Sequence, residues 1–285
     1  MPGHDTISFL SDYGHDDEFV GVVHSVIRGI APDARVIDLT HGIPPHDTRA
    51  GGLALARAVQ YVAPGVILAV VDPGVGTSRR AVAVEVGDGA GVFLGPDNGL
   101  LAPAVAMAGG ATRAVELREP SFHLPAPGPT FAGRDVFAPV AAHLCTGVEL
   151  DELGPAVDTA TLLPGVLPVS RSEGEVVVAE VLWVDRFGNA QLNVGPDELP
   201  GRRHTLTTGT TVRTATVSVT YGDVPPGGVG LVVDAYGLMS VALDRQSAAE
   251  ELGLDAGAEL RLAPLTEEPA GGSTPLPFPT VRREV

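Results

Sequence analysis

An acidic and a basic residue seven positions apart give this sequence its clearest potential for chemistry. Asp72 and Arg79 belong to the segment DPGVGTSRR, which directly follows a hydrophobic run. Glycines here would let the backbone approach a ligand closely, and the carboxylate and guanidinium can face each other across the turn. Such a pair could hold and polarise a water molecule. A surface turn with an ordinary ion pair explains the local pattern equally well.

Asp12 is a second candidate, because it also follows a hydrophobic segment and further acidic residues come soon after it. A carboxylate can accept hydrogen bonds from both hydroxyls of a ribose. From spacing alone, the simpler explanation is a helix N-terminus at which Asp12, Asp16 and Asp17 favour the positive end of the dipole. Metal binding is a third reading, but no histidine has the spacing that would complete a site. We therefore predict no metal site.

Three shorter segments each allow a structural and a functional interpretation. GPDNGLL is typical of a tight turn before a helix, and Asn98 is its residue most able to contact a ligand. In TFAGRD, Gly133 would permit close approach of a substrate, although capping of the following helix is equally consistent. DRFGN is typical of a turn, but Asn189 could also pair with a heterocycle edge and Asp185 with an ammonium group. None of these segments is decisive alone.

The first half of the chain contains the elements that would position these residues. Short hydrophobic runs alternate with helical patterns, which predicts crossover units and a mostly parallel, buried sheet with flanking helices. The predicted strands cover 6–10, 35–39 and 66–71, and the predicted helices cover 17–30, 48–62 and 131–146. Ligands of open α/β sheets collect at the carboxyl ends of the strands. We therefore expect the loops after the three strands to converge on one crevice.

The second half has a different pattern, with β-prone segments separated by turn residues. These segments predict a small antiparallel barrel or sandwich, and they cover 175–183, 203–208, 211–219, 230–233 and 239–243. The resulting division is an N-terminal α/β domain at 1–158, a linker at 159–172, a C-terminal β domain at 173–264 and a flexible tail at 265–285.

Composition narrows the classes of ligand and partner. A net charge of -17 disfavours nucleic acids and anionic membranes, because both attract basic surfaces. All 18 basic residues are arginines, which excludes lysine Schiff-base chemistry. Cys145 is the single cysteine, and no hydrophobic run reaches the ~18 residues that span a bilayer. We expect a soluble, cytoplasmic protein that binds a small or cationic ligand.

Taken in order, six segments resemble the S-adenosyl-L-methionine (SAM) hydroxide adenosyltransferases, a family related to bacterial fluorinase and chlorinase. The segments are FLSDYG (9–14), DLTHGIPPHD (38–47), VVDPGVGTSRR (70–80), GPDNGLL (95–101), TFAGRDVFAP (130–139) and VDRFGN (184–189). The resemblance runs from about Ile7 to Leu262. It implies an N-terminal α/β domain, a C-terminal β-barrel, and a homotrimer whose SAM sites lie between the N-terminal domain of one subunit and the C-terminal domain of its neighbour.

The resemblance also implies substrate-binding roles. Asp12 would hold the ribose hydroxyls with Asp17 and His46 nearby, Asn189 would contact adenine, and Asp185 would bind the methionine amine. The matching motifs add further substrate-binding positions, namely Asn98, Phe131, Gly133 and Phe187. Looser matches, near the methionine carboxylate or the neighbouring ring, are Ala235, Tyr236 and Arg245.

The implied reaction is attack of water or hydroxide at C5′ of SAM, which yields adenosine and L-methionine without a cofactor. The related halogenases carry an aromatic and a small hydroxyl residue where this chain has Asp72 and Val75. A carboxylate at position 72 would repel a halide, so halide-dependent transfer is the weaker expectation. A sensor that binds SAM or adenosine without cleaving SAM is the other alternative.

Ala132 departs from the family pattern. Water-using members have histidine there, in TFHGRD, which completes an Asp–Arg–His set with the residues that match Asp72 and Arg79. Either an engineered His→Ala change or natural divergence explains the alanine, and the intact flanking motif favours engineering. A positioned histidine contributes about 10²- to 10⁴-fold where it acts as a base, so we expect good binding and slow turnover. His123 could substitute, although an exposed loop histidine is the simpler interpretation.

Overall fold

The computed structural model describes residues 4–265. The chain divides into two compact units, 1–168 and 169–285. Apart from Leu265, the predicted tail at 265–285 lies outside the described residues. Within the described part, no helix is both long and apolar enough to cross a bilayer.

The first unit is built on a six-stranded sheet in the order β2-β1-β3-β5-β4-β6. The strands are β1 (Thr6–Ser11), β2 (Arg35–Thr40), β3 (Gly65–Val70), β4 (Ala81–Val86), β5 (Gly91–Pro96) and β6 (Ala111–Glu116). Strand β4 alone runs against the others, because it pairs antiparallel with both β5 and β6. The remaining pairs are parallel. The predicted mostly parallel sheet is therefore confirmed, and β1 and β3 are buried along their whole length.

Helices flank this sheet and enclose two hydrophobic clusters. They are α1 (Phe19–Ile30), α2 (Thr48–Ala58), α3 (Ala102–Met107) and α4 (Ala138–Cys145). The predicted helix at 131–146 instead begins as a wide π-helical turn, Gly133–Phe137, before α4. Pro139 has no N–H to donate to the Asp135 carbonyl, which accepts from the Leu124 amide at 2.9 Å. The turn brings Gly133 and its neighbours to the end of the sheet.

The second unit is a closed seven-stranded barrel, which confirms the predicted β-barrel fold. Its strands are β8 (Val176–Val184), β9 (Ala190–Leu192), β10 (Arg203–Thr208), β11 (Thr211–Ser218), β12 (Val229–Val233), β13 (Met239–Ala242) and β14 (Glu259–Pro264), with β7 (Arg171–Glu173) added beside β8. Strand β8 closes the ring by pairing with both β9 and β14. Strands β11 and β12 are parallel, unlike the expected all-antiparallel pattern, because residues 219–228 cross over between them. A short helix, α5 (Ala248–Leu252), follows β13.

Candidate active site

A cavity of about 380 Å³ opens in the first unit beyond the carboxyl ends of β1 and β3. The predicted site residues that line it are Asp12, Asp17, His46, Asp72, Phe131, Ala132 and Gly133. They come from the loops after β1, β2 and β3 and from the π-helical turn before α4. The predicted convergence of three strand-end loops therefore occurs, with a fourth segment added by the turn.

Asp72 and Arg79 form a partly buried ion pair in this region. Arg79 Nε donates to Asp72 Oδ1 and Oδ2 at 2.9 and 3.0 Å, and its Nη2 also donates to Oδ2. The Asp72 side chain is only 6% exposed and the Arg79 side chain only 15% exposed. The guanidinium carbon lies 5.4 Å from the centre of the Phe137 ring, and a Cβ on Gly74 would approach Arg79 Cγ to 3.2 Å. This two-oxygen, partly buried geometry differs from the exposed ion pair that a surface turn would have.

Asp12 fastens the loop after β2 to the loop after β1. Its Oδ2 accepts from the His46 backbone N–H at 2.9 Å, and His46 has a positive φ of 69°. That backbone conformation is costly for a residue with a Cβ, so this hydrogen bond helps to hold it. The N-cap position of α1 is Glu18, which makes no side-chain capping bond. Helix capping therefore does not account for Asp12.

A hydrogen-bond network that is buried at Ser11 and His41 and exposed at Asp38 supports the same two loops. Ser11 Oγ and His41 Nδ1 are hydrogen-bonded at 2.8 Å, and His41 Nε2 lies 3.1 Å from Asp38 Oδ1. His24 Nε2 bonds to the same carboxylate oxygen at 2.8 Å. Burial lowers the pKa of His41, although Asp38 opposes this shift. The network fixes the strand end that carries Asp12.

Tyr13 lines the cavity and was not singled out from the sequence. A Cβ built on Gly133 would lie 2.1 Å from the Tyr13 hydroxyl oxygen, so the hydroxyl occupies the space beside that glycine. Burial raises the pKa of Tyr13, and the charges of Asp12 and Asp72 raise it further while Arg79 lowers it. The phenol therefore keeps its proton at neutral pH. Its only sequence signal was its place directly after Asp12.

Three predicted first-unit residues are not among those that line this cavity, namely Arg79, Asn98 and His123. Asn98 donates from its amide nitrogen to the Val71 carbonyl at 2.9 Å and accepts from the Leu100 N–H at 3.2 Å. It therefore fixes the backbone just before Asp72, and its contact with a ligand stays a prediction. His123, considered as a substitute for the missing histidine, is also absent from the lining.

The barrel carries a second cavity, of about 730 Å³. The predicted residues that line it are Asp185, Phe187, Asn189 and Arg245. Asp185 Oδ1 accepts from the backbone N–H groups of Phe187 and Asn189 at 2.8 and 2.9 Å, and Oδ2 accepts from the Asn189 amide at 2.8 Å. The turn interpretation of DRFGN thus holds, and the same residues face a cavity. Tyr221 also lines it and was missed by sequence reasoning.

Ala235 and Tyr236 lie in the turn between β12 and β13. Asp234 Oδ1 organises this turn by accepting from the N–H groups of Tyr236 and Leu238 at 2.8 and 3.2 Å. Neither Ala235 nor Tyr236 is among the residues that line the barrel cavity. Their contacts with substrate remain predictions.

Potential metal ligands do not cluster in the part of the chain that the structure describes. Between residues 4 and 265, no group of three or more His, Cys, Asp or Glu side chains could hold a metal ion.

Comparisons with known proteins agree with both units. The family model described as the SAM hydroxide adenosyltransferase N-terminal domain matches residues 7–154, and the C-terminal domain model matches 179–261. A Salinispora tropica protein named (R)-S-adenosyl-L-methionine hydrolase is 46% identical over 257 residues, covering 90% of this chain and 97% of that protein. A fluorinase from Actinoplanes sp. is 27% identical, covering 68% and 74%. A Thermotoga maritima crystal structure has a TM-score of 0.84 at 32% identity, covering 90% and 100%.

Proposed function

Because the chain belongs to the SAM hydroxide adenosyltransferase family, we propose that it hydrolyses SAM to adenosine and L-methionine. The observation that carries the proposal is the partly buried Asp72–Arg79 pair, whose carboxylate lines the same cavity as Asp12. The hydrolase relative is named for the (R) epimer at sulfur, and we propose the same epimer here. The lower identity to a fluorinase agrees with water, rather than halide, as the nucleophile.

The chemistry requires help mainly at the nucleophile. The positive sulfur makes C5′ electrophilic, and methionine leaves as a neutral thioether, so no acid is needed at the leaving group. Water attacks C5′ in line with the C5′–S bond, whose electron pair goes to sulfur. Asp72 orients this water and accepts its proton, while Arg79 holds the carboxylate in place. We propose that no metal or cofactor takes part.

The substrate-binding residues follow from the family resemblance and from the two cavities. Asp12 would bind the ribose hydroxyls with Asp17 and His46 beside it. Asn189 would contact adenine and Asp185 the methionine amine. Each carboxylate oxygen can accept more than one hydrogen bond, so Asp185 can hold its own turn and an ammonium group together.

We further propose a homotrimer with SAM sites at subunit interfaces. Exposed hydrophobic residues on the barrel support an assembly, since Phe187 and Val219 are 78% and 87% exposed. Light scattering on the purified chain tests this: a trimer mass is expected, and a monomer at all concentrations would contradict it.

For the compartment we propose the cytoplasm. Cys145 is a free thiol, and burial raises its pKa to about 11, so it is an unreactive thiol that needs no oxidising environment. Cell fractionation followed by the activity assay checks this location.

A second candidate function is a SAM sensor that does not cleave its ligand, and Ala132 is the observation that favours it. Both candidates predict binding, but only hydrolysis predicts product. Moreover, a sensor would release no methionine even with histidine restored at position 132.

A product assay separates the candidates. The chain, its Asp72→Asn variant and its Ala132→His variant are each incubated with (R)-SAM or (S)-SAM, with and without chloride, and the products are separated by chromatography. We expect the parent chain to release adenosine and methionine in equal amounts. Ala132→His should release them faster than the parent chain, and Asp72→Asn far more slowly. Absence of adenosine from every form would favour the sensor. A 5′-chloro nucleoside would show a halide-dependent reaction.

A further inference from the structure

We propose that Tyr13 is a further catalytic residue, whose hydroxyl holds the attacking water beside Asp72 in this chain, which has alanine at position 132. The inference rests on the proposed hydrolysis. It assigns to Tyr13, in the loop after β1, part of the role that the family resemblance gives to a histidine at position 132.

The position of Tyr13 is the first argument. Tyr13, Asp72 and Ala132 line the same cavity. The Tyr13 hydroxyl reaches the backbone of Gly133, the residue next to Ala132, so closely that a Cβ there would lie 2.1 Å away. The side chain of Ala132 is a methyl group, which cannot hydrogen-bond a water molecule. The Tyr13 phenol thus brings a polar group to the segment where the family places its imidazole.

The second argument is that the ring is held firmly. It packs edge-on against Phe131 and Phe9, with ring centres 5.6 and 6.4 Å apart, and lies 5.6 Å from the ring of Phe19. The Tyr13 backbone N–H donates to Ser11 Oγ at 3.2 Å. A group that is already fixed by packing orients a water molecule with little further loss of entropy.

The third argument is electrostatic. Burial raises the pKa of Tyr13, and the nearby charges of Asp12 and Asp72 raise it further. The phenol is therefore neutral when the enzyme works, and it acts as a hydrogen-bond donor and acceptor rather than as a base. Its oxygen can accept a hydrogen bond from the water.

The proton balance of the step is complete. The water oxygen bonds to C5′ while the C5′–S bond breaks and leaves its electron pair on sulfur. Asp72 takes the proton that the water loses, while the Tyr13 hydroxyl keeps its own proton and accepts a hydrogen bond from the hydrogen that the water retains. Asp72 then releases its proton to solvent, which restores the site. The net reaction consumes SAM and water and yields adenosine, methionine and one proton.

The alternative is that Tyr13 serves only as a packing residue. Tyr13→Phe separates the two roles, because it keeps the ring and removes only the hydroxyl. Tyr61→Phe is the matched control, since Tyr61 is 72% exposed and is not among the residues that line the cavity.

The test measures kcat and KM for SAM hydrolysis in the parent chain and in Tyr13→Phe, Ala132→His and the double variant, with Tm recorded for each. We expect Tyr13→Phe to lower kcat at least about tenfold with little change in KM. In the Ala132→His background, where an imidazole can hold the water, the same change is expected to cost less than about threefold. Tyr61→Phe leaves kcat and KM at the parent values.

Two results would overturn the assignment. One is an unchanged kcat in Tyr13→Phe, or a change in its KM alone. This result can be judged even if the Ala132→His variant does not fold. The other is an equal loss of kcat in both backgrounds, which would make the hydroxyl a structural group. By contrast, a parent chain and an Ala132→His variant that both release no adenosine would contradict the proposed hydrolysis itself.

Discussion

At the scale of single residues, the account depends on how Arg79 holds Asp72. Two guanidinium nitrogens bind the carboxylate, and both side chains are largely shielded from water. The lysine side chain has one nitrogen and cannot reproduce this planar, bidentate pairing with the carboxylate. The neighbouring residue, Arg80, makes a similar pair with Asp97, which, unlike Asp72, is not among the residues that line the cavity. The two adjacent arginines thus provide a matched comparison.

Arg79→Lys is expected to lower kcat about 10- to 100-fold, because hydrogen bonds to charged groups contribute about 1.5–3 kcal/mol. Arg80→Lys is expected to leave kcat near the parent value at temperatures where the chain stays folded. Steady-state assays of adenosine release check both. Equal losses in the two variants would mean that Arg79 supports the fold rather than the reaction.

At the scale of secondary structure, the sequence was informative where hydrophobic periodicity is simple. It predicted the first three strands, the barrel and the loops that bring Asp12 and Asp72 together. It did not predict β4, which follows β3 through the Asp72 loop without a helix and runs against its neighbours. It also could not reveal the π-helical turn before α4, which depends on Pro139 and on the distant Leu124 amide.

Tyr13 was missed for the same physical reason. Its contact with Gly133 joins residues that are far apart in the chain, and no local spacing encodes it. In the sequence, Gly133 indicated close approach of a substrate. In the structure, the Tyr13 hydroxyl fills the space where a side chain would begin.

Gly133→Ala is therefore expected to lower the free energy of unfolding by about 1–3 kcal/mol, because the new methyl group overlaps the Tyr13 hydroxyl. Adding Tyr13→Phe should recover part of that loss, since it removes the closest atom. Urea denaturation of the single and double variants measures this. Gly128→Ala is the control, because nothing lies within 4 Å of a Cβ there. If Gly133→Ala is as mild as Gly128→Ala, the described contact is wrong.

At the scale of the whole molecule, buried histidines make the fold sensitive to acid. Burial is the largest cause of the lowered pKa of His41 and of His204, which are both almost fully buried. A folded-state pKa below the unfolded value near 6.5 means that the unfolded chain binds more protons below that pH. Glu85, whose pKa is lowered mainly by Arg113, contributes to the pH dependence of stability only nearer pH 4.

The urea concentration at the midpoint of unfolding should consequently decrease as the pH is lowered from 7.5 to 5.5. His204→Gln should reduce this dependence on pH, whatever its effect on stability at pH 7.5. A midpoint that is constant or rises on acidification would show that these histidines are not held neutral in the fold.

The central claim is that water attacks C5′ of SAM, and oxygen-18 tests it most directly. The chain is incubated with SAM in water enriched in oxygen-18, and the products are analysed by mass spectrometry. The account predicts adenosine that carries the label in its 5′-hydroxyl and methionine that carries none. Unlabelled adenosine, or a label found in a fragment derived from methionine, would contradict it.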